Sequence, residues 1–254
     1  MKKYKIEDLE IGFSRSTPAQ VRKRIFLIHG AGSDSRVFAS LEKELAKKHD
    51  VVSIDLPGHG TSNGSGFRGT VDHAAYCSGL LRKLEWKNCV VLGHSMGGAI
   101  ALSLSIYFPD LVKSLILVGS GARLRVSPEV LENARLEAAG KKSQTGTHRV
   151  GFSERTDDSL FNHIRELSLS TDPEVVLKDW MAVDSFDVFS RLKHIKQDTL
   201  AICGEDDVMT TVKYHEFLCA EMPHCKLEVV KDAGHWPFIE KPQQVLKIIV
   251  NFLG

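Results

Sequence analysis

From Val90 to Ile100 the chain reads Val-Val-Leu-Gly-His-Ser-Met-Gly-Gly-Ala-Ile, and this run dictates most of what can surround it. It has the pattern of a short buried strand, a reversal too tight for ordinary residues, and the first turns of a helix. Gly93 and Gly97 flank Ser95 at the spacing G-x-S-x-G. The reason is steric: a serine at such a reversal sits in strained backbone, and a Cβ two residues before or after it would collide with its neighbour. The turn lifts the hydroxyl clear of the main chain. The following helix aims its free amides, and the positive end of its dipole, at the same spot, where an oxyanion would be favoured. Ser95 is therefore the candidate nucleophile.

A 254-residue chain with 43% hydrophobic residues can bury one large α/β core. Its net charge of +1 leaves no excess for a polyanion, which disfavours nucleic acid as a partner. The basic N-terminus, Met1 to Lys5, leads into no apolar stretch of a signal peptide, and no window is apolar enough to span a bilayer. The five cysteines (Cys77, Cys89, Cys203, Cys219 and Cys225) are odd in number and form no C-x-x-C. All are expected to be reduced packing residues of a cytoplasmic protein. The histidines are scattered without the close pairing that zinc requires, so no metal is expected.

Along the chain, strand and helix patterns alternate. Residues 1–20 read as two short strands joined at Glu7-Asp8, and Arg24 to Ile28 as a strand buried on both faces. A helix is expected over about 36–48, a strand over Val51 to Asp55, and a helix capped by Thr70 that runs to about Trp86. The strand before Ser95, its helix to Phe108, and Leu115 to Val118 continue the alternation, which predicts a doubly wound, mostly parallel sheet of about eight strands. From 122 to 187 no buried strand run occurs. Ser127-Pro128-Glu129 and Asp172-Pro173-Glu174 are instead helix starts, the second ahead of a helix through Trp180, and a basic loop spans Lys141 to Arg149. Residues 122–187 are thus expected to form a helical cap inserted into a core of 1–121 and 188–254. The sheet resumes at Thr199 to Cys203, and Lys226 to Val230 is the last strand before a closing helix over 242–252.

In such a sheet the loops at the carboxyl ends of the strands meet in one crevice. Four of them carry reactive or glycine-rich residues: 29–34, 93–97, 204–207 and 232–236. His235 is the candidate base for Ser95, and Asp207 the candidate for orienting it, with Glu205 and Asp206 as adjacent alternatives. A serine needs such a base, and the base must be held in one tautomer. The order Ser, Asp, His is that of an α/β-hydrolase triad.

At five places the chain resembles the α/β-hydrolase superfamily, in its branch of capped, cofactor-free serine esterases and hydrolases. These are His29-Gly30, Asp55-Leu-Pro-Gly-His-Gly60, Gly93-His-Ser-Met-Gly97-Gly98, Gly204-x-x-Asp207, and Gly234-His235 with Pro237-Phe238 and Glu240-Lys241-Pro242. The resemblance implies catalytic Ser95, Asp207 and His235, and an oxyanion hole from the Ala31 and Met96 amides. It also implies hydrolysis of a small or medium carboxylic ester or thioester without cofactor, by a monomer or homodimer that needs no membrane. His29 is expected to brace the oxyanion loop, His94 to pack beside the elbow, and Asp55 and His59 to be structural.

The cap offers less. Arg123 and Arg125 stand near the expected mouth, where guanidinium groups can hold a carboxylate or phosphate bidentately; a salt-bridged or solvated pair fits the pattern as well. Trp180 and Trp236 can wall an apolar pocket or simply pack. Carbon–carbon bond hydrolases share this triad and cap, though many carry Asn where this chain has His94. Haloperoxidase-like members share the triad too, and the fold also serves as a non-catalytic ligand receptor. Serine at position 95 argues against the aspartate-nucleophile dehalogenases and epoxide hydrolases.

Overall fold

The computed structural model describes residues 1–6, 8–143, 149 and 151–254. Eight strands form one sheet: β1 (Lys2–Ile6), β2 (Leu9–Ser16), β3 (Arg24–Ile28), β4 (Asp50–Ile54), β5 (Cys89–His94), β6 (Val112–Val118), β7 (Asp198–Gly204) and β8 (Cys225–Val230). Their order across the sheet is β1-β2-β4-β3-β5-β6-β7-β8. The β1–β2 and β2–β4 pairs are antiparallel and every later pair is parallel. This agrees with the sheet that the alternation predicts.

Successive residues of the central strands feed opposite faces, as strand geometry requires. Phe26, Ile28, Val91, Leu115 and Leu117 pack with α2 (Thr70–Lys83) and α3 (Met96–Tyr107). Ile25, Leu27, Val90, Leu92, Ile116 and Val118 pack with α1 (Ala39–Leu45) and, at the chain end, α9 (Pro242–Leu253). Covered on both sides, these strands read as continuous apolar runs.

Beyond β6 come three helices outside the sheet: α4 (Pro128–Ala138), α5 (Asp158–Leu169) and α6 (Pro173–Ser185). An isolated bridge between Arg123 and Asp187 joins the two ends of this insertion. Ser127 Oγ accepts from Val130 N at 3.3 Å and Asp172 Oδ1 from Glu174 N at 2.8 Å, so both expected start signals act as caps. The sheet then resumes with β7, followed by α7 (Val212–Glu221), β8 and the short α8 (Pro237–Glu240). Among the described residues no helix is long and apolar enough to cross a membrane.

Some local expectations need correction. The helix expected over 36–48 is a 3₁₀ turn (Ser35–Phe38) running into the shorter α1. Thr70 is the first residue of α2 rather than its cap; Gly69 holds the cap position. The second helix expected within 122–187 continues past Trp180 to Ser185, and α5 is additional to the two expected there. Residues 144–148 of the expected basic loop lie outside the described residues. Nor are all five cysteines reduced. Cys219, late in α7, and Cys225, opening β8, are joined by a disulfide. The reversal between α7 and β8 brings their Cα atoms to 4.8 Å, a proximity that sequence spacing does not reveal. That pair gives no support to a reducing compartment; Cys77, Cys89 and Cys203 are free and buried.

Candidate active site

The elbow has the strain its glycines imply. Ser95 sits at φ 54° and ψ −118°, outside the regions ordinary residues favour. A Cβ on Gly93 would lie 2.1 Å from Gly97 O, and one on Gly97 would lie 2.1 Å from Ile28 O, so neither position admits a side chain. The backbone of Ser95 is pinned on both sides. Its N–H donates to Val118 O at 2.9 Å, and its carbonyl accepts from Ser120 Oγ at 2.9 Å. Strain at this point is held by the neighbouring strand rather than relieved by it.

His235 and Asp207 come from the loops after β8 and β7. Asp207 Oδ2 accepts from His235 Nδ1 at 2.8 Å. The same carboxylate accepts from Met209 N (2.8 Å), Thr210 N (2.9 Å) and Thr210 Oγ1 (2.8 Å), so four donors fix its orientation. The neighbouring acids face elsewhere: Asp206 Oδ2 accepts from Ser153 Oγ at 2.6 Å, and Glu205 lies against Asp232 N. His235 Nε2 is buried and has no hydrogen-bond partner among the described residues. It lines the same cavities as Ser95 without a bond between them, a separation that commonly closes when substrate binds.

Three further histidines hold backbone. Burial pushes His94 well below the ordinary imidazole range, so it is neutral and donates through Nε2 to His235 O at 2.9 Å. Its ring packs on Trp236 with centroids 4.3 Å apart. His29, lowered to about 4 by burial and then by His59, accepts from Leu56 N through Nε2 and donates through Nδ1 to Gly30 O at 2.8 Å. His215 accepts from Ser120 N at 3.1 Å, at the residue that holds the Ser95 carbonyl.

Two cavities meet at Ser95 and His235, with Trp180 and Met209 lining both. One, of about 250 Å³, is walled by Phe152, Phe161, Ile164 and Trp236 and touches Gly30 and Ala31. The other, of about 280 Å³, runs between Leu124, Val126, Val130, Val183 and Tyr214. Both are mostly apolar, as ligand pockets are. A Cβ on Gly30 would stand 3.2 Å from Ser95 Cβ, which sets the 29–32 loop directly against the elbow. A family model described as alpha/beta hydrolase fold matches residues 23–242, the sheet and insertion that build this site.

The chain belongs to the alpha/beta hydrolase fold family. The pimeloyl-[acyl-carrier protein] methyl ester esterase of Neisseria meningitidis serogroup B is 28% identical over 251 residues, covering 94% of this chain and 95% of that protein. The structure of a thermophilic esterase from Thermogutta terrifontis matches with a TM-score of 0.85 at 27% identity, covering 96% of this chain and 93% of the other. The enol-lactonase from Burkholderia xenovorans shares the fold, with a TM-score of 0.89 at 23% identity over 99% of each chain.

In this alpha/beta hydrolase fold the arginines are employed in the neck of the insertion. Arg123 Nε donates to Asp187 Oδ2 at 2.7 Å, and its guanidinium lies 4.2 Å from the Phe189 ring centre. It lines neither cavity at Ser95. Arg125 donates to Asp184 O at 2.6 Å and also borders the second cavity. Trp180 and Trp236 do wall the site. Residues that sequence reasoning missed include Phe152, Phe161 and Ile164 from the insertion, which carry no motif, and Thr210. Thr210 had a usable signal: an Asp three residues before a Thr in a strand-end turn commonly accepts from its backbone.

The Asp207 contacts have a consequence for stability. Burial would raise this carboxyl, but the charge and hydrogen bond of His235, with the Thr210 bonds, hold it down at about 2. An unfolded Asp titrates near ~3.9, so the folded state binds this proton less readily and is stabilised above about pH 4. That contribution, about 3 kcal/mol at ~1.4 kcal/mol per pKa unit, is lost as pH falls towards about 2. Urea unfolding of the wild type should lose stability across this window. Asp207→Asn should flatten that decline; an equally steep decline in the variant would remove Asp207 as its source.

Proposed function

We propose that this protein hydrolyses a small or medium carboxylic ester or thioester through an acyl-enzyme on Ser95, without a cofactor. The observation that carries the reading is the buried Asp207–His235 pair, 2.8 Å apart, with His235 Nε2 left without a partner among the described residues and His235 lining the same two cavities as Ser95 at its strained turn. The Neisseria and Thermogutta relatives, both named as esterases, support the same chemistry.

In this mechanism His235 Nε2 takes the Ser95 proton as Oγ attacks the carbonyl carbon. The new C–O bond pushes the carbonyl electrons onto oxygen, where the Ala31 and Met96 amides receive them. Preorganised donors of this kind each contribute roughly 10²–10³ in rate. Collapse breaks the bond to the leaving alcohol or thiol, which departs with the proton from His235. Water, deprotonated by the same nitrogen, then repeats the attack and frees the acid and Ser95. Asp207 keeps Nδ1 protonated throughout and stabilises the imidazolium. Residues 122–187 act as a cap that shapes both apolar arms, and Arg123 and Arg125 brace it through Asp187 and the Asp184 carbonyl.

A fluorophosphonate probe tests the proposal directly. The folded wild type should label at neutral pH, and Ser95→Ala should not. A folded wild type that stays unlabelled would sink the catalytic assignment and favour a ligand receptor on the same fold.

A further inference from the structure

Asp179 is a fully buried carboxylate that neither the motifs nor the mechanism above accounts for. It lies on α6, in the insertion, yet its Oδ2 accepts from Gly32 N at 2.8 Å in the loop after β3. The same oxygen faces His59 Nε2 at 2.8 Å. His59 Nδ1 lies 3.0 Å from Pro57 O. Both ring nitrogens of His59 therefore face acceptors, and only the doubly protonated ring can donate to both. The pair is a buried imidazolium and carboxylate. Asp179 Oδ1 has no hydrogen-bond partner among the described residues, and the nearest charged or titratable group on that side is His73, whose Nε2 is 4.0 Å away.

Such a pair is a poor device for stability alone. Desolvating two charges offsets most of their attraction, and apolar replacements of buried pairs are often neutral or stabilising. Its placement suggests what it does instead. The peptide joining Gly30 to Ala31 carries the Ala31 N–H, and its carbonyl, Gly30 O, is held by His29 Nδ1. The next peptide carries Gly32 N–H, held by Asp179. Because each peptide is planar and trans, fixing one carbonyl and the following N–H fixes the plane on either side of the Ala31 Cα. Gly32, at φ +61°, has the freedom to swing if released. Thr171 Oγ1, just before α6, adds a bond to Gly32 O at 3.3 Å, and Val176 of α6 stands against the Gly32 Cα.

We infer that Asp179 is a positioning residue: through Gly32 it orients the Ala31 amide towards the oxyanion formed at Ser95, so that the seated insertion completes the oxyanion hole. This rests on the ester-hydrolysing reading above. A donor fixed before the reaction needs no reorganisation as charge develops, whereas a loosened one gives up part of its effect.

The test is Asp179→Ala with p-nitrophenyl butyrate as substrate and an arylboronic acid as a mimic of the tetrahedral adduct. The variant should lose roughly 10- to 100-fold in kcat, less than deleting a donor outright. KM should stay within about two-fold, because the carbonyl's ground state gains little from the donor, and boronate affinity should fall by the same factor as kcat. Stranding the His59 charge can unfold the single variant. The double variant His59→Leu/Asp179→Leu removes both charges together and is expected to show the same kcat and boronate losses in a folded protein. Wild-type kcat in either folded variant overturns the inference. So does a change in KM alone with unchanged boronate affinity. A wild type inert towards the ester refutes the ester reading and, with it, this role for Asp179; an active wild type with equally active variants refutes only the role of Asp179.

Discussion

Asp207→Asn is expected to lower kcat by about 10⁴-fold with little change in KM, the scale set by losing the correct histidine tautomer in triad enzymes. The contacts of Asp207 explain why the amide cannot compensate by rotating. Oδ1 receives two backbone N–H groups, from Met209 and Thr210, which cannot become acceptors. The carbonyl oxygen of the introduced amide must therefore occupy that side, leaving its NH₂ where Oδ2 now faces His235 Nδ1 and Thr210 Oγ1. An NH₂ aimed at Nδ1 requires a lone pair there, so the imidazole proton moves to Nε2, the nitrogen that accepts from Ser95 in the proposed mechanism. The variant keeps its shape and loses its base. It also loses the charge that stabilises the imidazolium during turnover. Asp206→Asn is the matched control: it disturbs only the bond to Ser153 Oγ and should retain most activity. Steady-state hydrolysis of a p-nitrophenyl ester measures both. Loss of activity in the Asp206 variant alone would transfer the acid's role to that neighbour.

The residues legible in sequence are those whose identity is forced by local backbone. Gly93 and Gly97 are glycine because carbonyls occupy the space of a Cβ, and the apolar runs of β3, β5 and β6 are continuous because both faces are covered. Asp207 is selectable because the Gly204 turn and the sheet edge limit where an acid can meet His235. What stays hidden depends on segments far apart in the chain. Asp179 meets Gly32 across 147 residues and His59 across 120, and nothing in a helix of ordinary composition announces either contact. The disulfide is hidden for a different reason: Cys219 and Cys225 are close in sequence, and whether they meet depends on how the chain reverses between α7 and β8. Arg123 and Arg125 stand out for their charge, but the groups that engage them, the Asp187 carboxylate and the Asp184 main-chain carbonyl, come some 60 residues later, at the end of α6 and just beyond it. The cavity walls Phe152 and Phe161 carry no signal beyond being apolar.

Gly97→Ala should be strongly destabilising for a single added methyl, costing at least about 3 kcal/mol and abolishing activity in whatever folds. The added Cβ would stand 2.1 Å from Ile28 O and 2.6 Å from His29 O, both main-chain atoms. Ile28 cannot retreat, because β3 is paired on one side with β4 at Ile54 and on the other with β5 at Gly93. Moving α3 away is no easier: its first turn follows directly from Ser95, whose N–H and carbonyl are tied to Val118 and Ser120. Either response displaces the elbow from the loop that carries Ala31, so stability and catalysis fail together. Gly140→Ala separates this effect from backbone conformation. Gly140, unlike Gly97, has a left-handed φ of +69°, but a Cβ there meets nothing within 4 Å, so its cost is the conformational strain alone, about 1–2 kcal/mol. Urea midpoints of the two variants, with ester turnover on each, test the argument. A Gly97→Ala protein as stable and active as Gly140→Ala would mean that β3 and α3 can part without cost, and that the elbow is not held by the contact described.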